Sequence, residues 1–489
     1  MISLLLLPPI QALVLLLLWR RPRLQFYASL AGAALLFGCA VHLLATVNRD
    51  GIQVLAVGGW APPLGIALVV DRLAAALCVA ATLAGLAAVL ASRAGHDRQP
   101  DHPAWHPLTH LLLWAVCGAF RAGDLFNLYV WFEVMLMSSF VLITLGGGRA
   151  RMEGAVKYVA LNLVSSALFL SGCGLVYGAT GTLNFADIAR ALPSAGPMPP
   201  AMVGAAGCLL AAFLLKAGAF PFYSWLPASY PTTGPATVAL FSGLLTKVGA
   251  YAVLRFTSTV VPLGDLPQGP MLMVIAVVTM LAGVAAAATQ MDLRRILSIH
   301  IVSQIGYVLL GVAIGGAAGL AAAVFFMLHL IPVKSGLFLA AGVAEAAGGS
   351  GDVRRLGGLG ARPFLYAAFL LGAASLAGLP PFSGFFAKLG MIRCAFSAGA
   401  WLAGAAALGT GFLTLYSMVK IHREVFAKPA PQPPAPTPGA GWAYAGLGLL
   451  TAAGLLLALA AGPVGAWCRE VGEELALRTP YLHAVWRTF

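Results

Sequence analysis

Charge is what this sequence has least of. Asp, Glu, Lys and Arg make up only 9% of its 489 residues, where soluble chains carry about a quarter. Apolar residues reach 60% and the mean hydropathy is +0.90, which excludes a soluble enzyme, a nucleic-acid-binding domain or a disordered scaffold. Cysteine is also sparse. Cys39, Cys78, Cys117, Cys173, Cys208, Cys394 and Cys468 lie in or beside apolar runs, with no CxxC spacing and no nearby histidine pair. That pattern argues against a disulfide framework or a zinc site. Lys334-Ser335 lacks the glycines of a phosphate-binding loop, and nothing resembles a flavin, nicotinamide or iron–sulfur motif, so no cofactor or metal is expected. The net charge of +13 would suggest nucleic acid in a soluble protein. Here the arginines sit in short gaps between apolar runs, where they act as topology signals, and no nucleic-acid partner is expected.

What the sequence has is apolar runs long enough to cross a hydrocarbon core of about 30 Å. Bounded by charges, prolines or glycine clusters, about fourteen can be read. Their limits are near 3–19, 24–47, 64–92, 107–121, 123–146, 154–178, 200–226, 235–260, 271–289, 293–315, 317–347, 363–396, 399–426 and 439–468. The runs are continuous rather than alternating, which excludes a transmembrane barrel and predicts an all-α polytopic membrane protein. The opening MISLLLLPPIQALVLLLLWRR carries its charges after the apolar stretch, so it reads as a retained first span rather than a signal peptide. With the N-terminus outside, fifteen basic residues fall in inner gaps, among them Arg20, Arg21, Arg98, Arg294 and Arg295. Eight fall outside, among them Arg121 and Arg255. The positive-inside rule then places both termini on the outer face. KPAPQPPAPTPGA reads as an extended inner connector.

Six basic residues remain within the spans: Arg72, Lys157, Lys216, Lys247, Lys334 and Lys388. Five of the six are lysine, although the chain has only seven lysines against 22 arginines. Arginine keeps its proton in a protein, whereas a desolvated lysine can release it, so the partition points to proton handling. Among sixteen acidic residues only Glu133 falls near the middle of a span, and it requires a partner there. His300 and His329 lie in the tenth and eleventh spans, where near-neutral imidazoles suit a relay between lysines.

Two spans are interrupted, LLKAGAFPFYSWLP at Pro221 and SLAGLPPFSGFFAK at Pro380 and Pro381. Proline removes a backbone donor, which at membrane depth is tolerated where protein or a watery cavity satisfies the freed groups. Matched breaks in two halves of a transporter point to inverted repeats with the ion path at their interface. Lys216 precedes the first break and Lys388 follows the second, as inversion requires.

These segments resemble one family. GDLFNLYVWFEVMLMSSFVL, EGAVKYVALNLVSSALF, LLKAGAFPFYSWLPASYPTTGPATVALFSGLLTKVGAY, MDLRRILSIHIVSQIGYVLLG, HLIPVKSGLF and LAGLPPFSGFFAKLGMI are similar to signatures of the antiporter-like membrane subunits. These subunits are shared by respiratory complex I, membrane-bound hydrogenases and the Mrp cation/proton antiporters. DLFNLYV…FE and the YP after LPAS are most similar to the D-type subunits of the Mrp antiporters. The resemblance implies fourteen helices, two inverted five-helix repeats, and breaks in helices seven and twelve. It divides the chain into 1–106, 107–260, 271–426 and 427–489: three N-terminal helices, the two repeats, and a connector with the last helix and tail. It further implies that Glu133 pairs with Lys216, that Lys247 is a relay, and that Lys388 serves the far half-channel. His300, His329 and Lys334 match its central polar axis.

Bringing a lysine from its ordinary pKa of about 10.4 to neutrality takes about 4.6 kcal/mol. A carboxylate about 4 Å away contributes about 4 kcal/mol at an effective dielectric of about 20. Separating the pair, or protonating the acid, is therefore large enough to control proton release. A path with one carboxylate among cations is a poor sodium site. The expectation is a proton-translocating subunit in a hetero-oligomeric membrane complex, with protons as its cargo and the other cation handled by a partner subunit. The alternative is a proton-pumping subunit of an NADH-quinone oxidoreductase or hydrogenase-type complex, whose redox chemistry would belong to its partners.

Overall fold

The computed structural model describes residues 1–94, 102–192, 198–430 and 439–488. Arg98 and most of the proline-rich connector, 431–438, lie outside the described residues. The helices run α1 (Ile2–Leu17), α2 (Pro22–Asp50), α3 (Arg72–Ala91), α4 (Trp105–Arg121), α5 (Leu125–Thr144), α6 (Arg149–Thr180) and α7 (Phe185–Ala191). There follow α8 (Pro200–Ala217), α9 (Trp225–Ser229), α10 (Pro235–Arg255), α11 (Gly269–Thr289), α12 (Leu293–Ile314) and α13 (Gly316–Gly348). The chain continues through α14 (Pro363–Ala377), α15 (Ser383–Ser397), α16 (Trp401–Ile421), α17 (Ala440–Leu459), α18 (Ala461–Leu477) and α19 (Thr479–Trp486).

Among the described residues, eleven helices are long and apolar enough to cross a membrane, against fourteen spans read from the sequence. The difference lies in α1 and α4, of 16 and 17 residues, and in the broken pair α14 and α15, of 15 each. Two span limits change. The third span does not begin at 64, because β2 (Ala67–Val70) pairs antiparallel with β1 (Gln53–Ala56) and the helix starts only where Asp71 caps it. The last apolar run is two helices, divided at Ala460. Pro463 sits in the first turn of α18, where its missing N–H costs no helix bond. Beyond it Arg469, Glu470, Glu473 and Glu474 make the helix amphipathic. It packs along the first half of α13, so closely that a Cβ on Gly472 would collide with the Ala317 carbonyl.

Two hydrogen-bonded pins reveal internal repetition. Leu125 N–H donates to the Leu183 carbonyl and Phe185 N–H to that of Gly123, each at 2.9 Å. The same pair recurs 168 residues on, Leu293 to Gly351 and Val353 to Met291, again at 2.9 Å. Asp124 and Asp292, inside the pins, cap α5 and α12 by accepting from Asn127 and Arg295 N–H. The pins lie at opposite ends of the bundle. Arg294 binds the Thr233 carbonyl at the start of α10, whereas Tyr251 near its end binds the Phe120 carbonyl. Along α10 the rise from Pro235 to Tyr251 is about 24 Å. Both α10 and α16 also end in a π-helical turn, Phe256–Val260 and His422–Ala427.

The core is the interface between the two repeats. The most apolar stretch of α10 is 100% buried and that of α12 94%, whereas α17 and α2 have 22% and 33%, leaving broad apolar faces outward. Two arginines assigned to loops by the sequence are buried instead. Arg121 is covered and donates to the carbonyls of Cys117, Met1 and Leu4. Arg255 forms an ion pair of 2.6 Å with Asp71 and stacks on Tyr481. These satisfied guanidiniums tie α4 to α1 and α10 to the start of α3.

Removing one partner of a buried pair leaves an uncompensated charge, at a cost of about 3–5 kcal/mol. Asp71→Ala should therefore lower the thermal unfolding midpoint of the solubilised protein markedly, while Asp50→Ala, removing an exposed pair with Arg49, should leave it nearly unchanged.

Candidate functional site

The two breaks are built alike. α8 stops at Gly218 (φ +71°) and α14 at Gly378 (φ +88°), a left-handed conformation natural to glycine. Each closes with the same bonds: Ala219 N–H to Leu214 and Gly218 N–H to Leu215, then Leu379 N–H to Ala374 and Gly378 N–H to Ser375, all at 3.0–3.1 Å. The Phe220–Pro221 and Pro380–Pro381 peptides are both cis. Side chains take the carbonyls each helix end exposes. Trp225 Nε1 donates to Leu215 O at 3.1 Å, and Lys388 Nζ to Ala377 O at 3.0 Å.

Lys216, Lys247, Lys334, Lys388, His300 and His329 are all buried, none more than 5% exposed. Lys247, on α10, donates to the Ser242 carbonyl of its own helix. Lys334, on α13 two residues after Pro332, reaches across to the Leu297 carbonyl of α12 at 3.1 Å. Its neighbour Ser335 donates to Ala239 O of α10 at 2.8 Å, joining the two lysine-bearing helices. His329 Nδ1 lies 2.9 Å from Ser383 Oγ, which is 3.1 Å from Ser375 Oγ, so one imidazole is tethered to both sides of the second break. Lys388 Nζ also sits 5.3 Å from the Tyr307 ring centroid. His300 has no hydrogen-bond partner on either ring nitrogen among the described residues. Beside the second break a cleft of about 20 Å³, lined by Pro332, Gly336, Gly372 and Ser375, has room for about one water.

One expected contact is not made. Glu133, half-buried on α5, does not pair with Lys216; its Oε1 accepts from Ser166 Oγ of α6. Lys216 Nζ has no hydrogen-bond partner among the described residues and faces the Phe132 ring, 5.6 Å from its centroid. The separation of about 4 Å assumed from sequence is therefore not the one adopted, because a hydroxyl on α6 takes the carboxylate first. Two further residues leave the buried set. Lys157 is exposed and pairs with Glu153 one helical turn away at 2.6 Å, and Arg72 pairs with Glu470 at 2.6 Å. Sequence reasoning passed over Ser166, Ser383 and Tyr307, which carry no charge to mark them. It also passed over His106 and His110, whose spacing of four on α4 is a legible helix-face signal; both lie within 3.1 Å of buried Ser29 Oγ.

A multi-pass helical membrane protein with a line of buried amines between matched helix breaks is the class these features define. Residues 122–414 match the family described as NADH:quinone oxidoreductase/Mrp antiporter, transmembrane. The chain is 40% identical over 386 residues to the D subunit of a Na⁺/H⁺ antiporter of Alkalihalophilus pseudofirmus, covering 78% of each chain. With the D subunit of the Na⁺/H⁺ antiporter of Bacillus subtilis it shares 35% identity over 424 residues, covering 86% of this chain and 85% of that one. It superposes on a chain of the Mrp complex from Dietzia sp. DQ12-45-1b with a TM-score of 0.90 and 32% identity, covering 99% of both. The chain belongs to the NADH:quinone oxidoreductase/Mrp antiporter family.

A methyl group at position 378 would meet Lys388 Cδ at 2.7 Å in a backbone conformation unfavourable to any Cβ. Gly378→Ala should destabilise the protein by at least about 1–2 kcal/mol, measured by denaturation in detergent. Gly390→Ala, where a Cβ meets nothing within 4 Å, should be neutral or mildly stabilising.

Proposed function

We propose that this chain is the proton-translocating subunit of a multisubunit Na⁺/H⁺ antiporter in a bacterial inner membrane, assembled with other integral-membrane subunits. The burial of Lys216, Lys247, Lys334 and Lys388 in one bundle carries this reading. Amines at that depth are expensive, and their retention there marks a functional path. The names of its relatives support the antiporter assignment. Both termini lie on the outer face in this reading, and the chain divides at 1–106, 107–260, 271–426 and 427–489.

Protons pass from Lys216 to Lys247, then by Lys334, His300 and His329 to Lys388. Glu133 controls the first step by approaching or leaving Lys216. The breaks at Pro221 and at Pro380 and Pro381 expose helix-end carbonyls at depth, taken by the Trp225 indole at the first and by the Lys388 amine at the second. Each lysine has a neutral partner, a carbonyl or an aromatic ring, which holds the ammonium without locking the proton as a carboxylate would. The path has a single carboxylate among its residues, too few hard oxygen ligands for a sodium site. The monovalent cation therefore crosses through a partner subunit.

Lys216→Ala should abolish cation-coupled proton movement in membrane vesicles, with the complex still assembled on native gels; retained antiport in an assembled complex would contradict the scheme. Radiolabelled sodium should not bind the isolated subunit in a manner that depends on Glu133. Such binding, lost in Glu133→Gln, would place sodium in this chain.

A further inference from the structure

We propose that Ser166 is a positioning residue: it competes with Lys216 for the Glu133 carboxylate and thereby sets when Lys216 can release its proton. This deepens the proton-translocating reading above and rests on it. Ser166 is buried on α6 and has two acceptors within reach of its single proton. Its Oγ contacts Glu133 Oε1 across the α5–α6 interface, and it lies 3.1 Å from the Asn162 carbonyl one turn back on its own helix. A hydroxyl donates to one of these at a time.

Two states follow, neither of which strands Ser166. In the state adopted here Ser166 holds the carboxylate, and Lys216 Nζ is left facing the Phe132 ring with no hydrogen-bond partner among the described residues. When Glu133 swings to Lys216, the hydroxyl turns to Asn162 O, the ordinary back-bond of a helical serine. A buried donor is satisfied throughout, so the exchange avoids the penalty of an unmade hydrogen bond. The other titratable groups facing Glu133 are Tyr129 on α5 and Tyr158 on α6, the latter already bonded to Ser139 Oγ at 2.6 Å. On α10, Lys247 is occupied by the Ser242 carbonyl. Tyr158 and Lys247 are thus engaged away from the carboxylate.

The internal repeat gives independent support. The offset of 168 residues that superposes the two pins carries Ser166 onto Lys334, which also bridges its helix to the preceding one, through Leu297 O. The same position on the corresponding helix thus holds the neighbouring helix in both halves, by a hydroxyl in one and an amine in the other.

The test uses the complete complex in vesicles. Ser166→Ala removes the competitor, keeps Glu133 on Lys216, and should move the pH profile of antiport toward alkaline pH by about one unit. Ser166→Thr, which keeps the hydroxyl, should retain the wild-type profile. In a Glu133→Gln background, Ser166→Ala should cause no further shift. An unmoved profile in Ser166→Ala, or an equal shift in the Glu133→Gln background, would overturn the proposal. The Glu133 carboxylate band, assigned by infrared difference between wild type and Glu133→Gln, gives a readout that does not depend on transport. It should shift in Ser166→Ala, and a band unchanged by that substitution would overturn the proposal even if the chain moved no protons.

Discussion

Everything in this fold answers to the cost of taking an ammonium out of water. An isolated charge in a low-dielectric interior is prohibitive, and a buried polar group must find a partner or give up its charge. Five lysines are buried here, yet none is neutralised by a direct carboxylate contact among the described residues. Four are held by backbone carbonyls, Lys247 at Ser242, Lys334 at Leu297, Lys388 at Ala377 and Lys420 at Ala288 and Gln290, and Lys216 faces an aromatic ring. Ser242 and Leu297 lie within the continuous helices α10 and α12 and share their carbonyls with the helix, whereas an interrupted helix leaves carbonyls free at depth. The second break supplies such a carbonyl, since Lys388 binds Ala377 O where α14 stops.

The two halves share a framework and differ in chemistry. The pins at Asp124 and Asp292, the glycine-terminated breaks and the π-helical turns recur in the same order in both halves. Within that framework the first half carries an acid and a hydroxyl, Glu133 and Ser166. The second carries histidines and an amine, with His329 tied by serines to both sides of its break. A repeated scaffold thereby carries different side chains in its two halves.

Most of the bundle was legible because membrane burial writes itself into composition: long apolar runs, prolines within them, and rare lysines. Lys216, Lys247, Lys334 and Lys388 stood out for that reason, and all four are buried. Boundaries were less legible where apolar residues do other work. Ala67–Val70 is as hydrophobic as a helix but pairs as a strand, and Ala460 turns the chain within a run that reads as continuous. Charge near a span end was ambiguous in both directions. Lys157 reaches water, while Arg121 and Arg255 fold inward onto carbonyls and Asp71. Neutral partners were invisible, since a serine or tyrosine in an apolar run carries no mark of its role. The Glu133–Ser166 contact is the clearest case: the family resemblance could suggest an acid near an amine, but only the packing of α5 on α6 decides which donor it takes.

The central claim is that buried amines form a connected, water-reached path rather than isolated structural anchors. Nitrogen-15 labelling of lysine in the reconstituted complex, with solid-state transfer from water protons to each Nζ, tests it most directly. The account predicts transfer from water to Lys216, Lys247, Lys334 and Lys388, each assigned by its loss in the corresponding substitution. Amines that receive magnetisation from lipid chains or protein alone, with no water signal at bilayer depth, would contradict it.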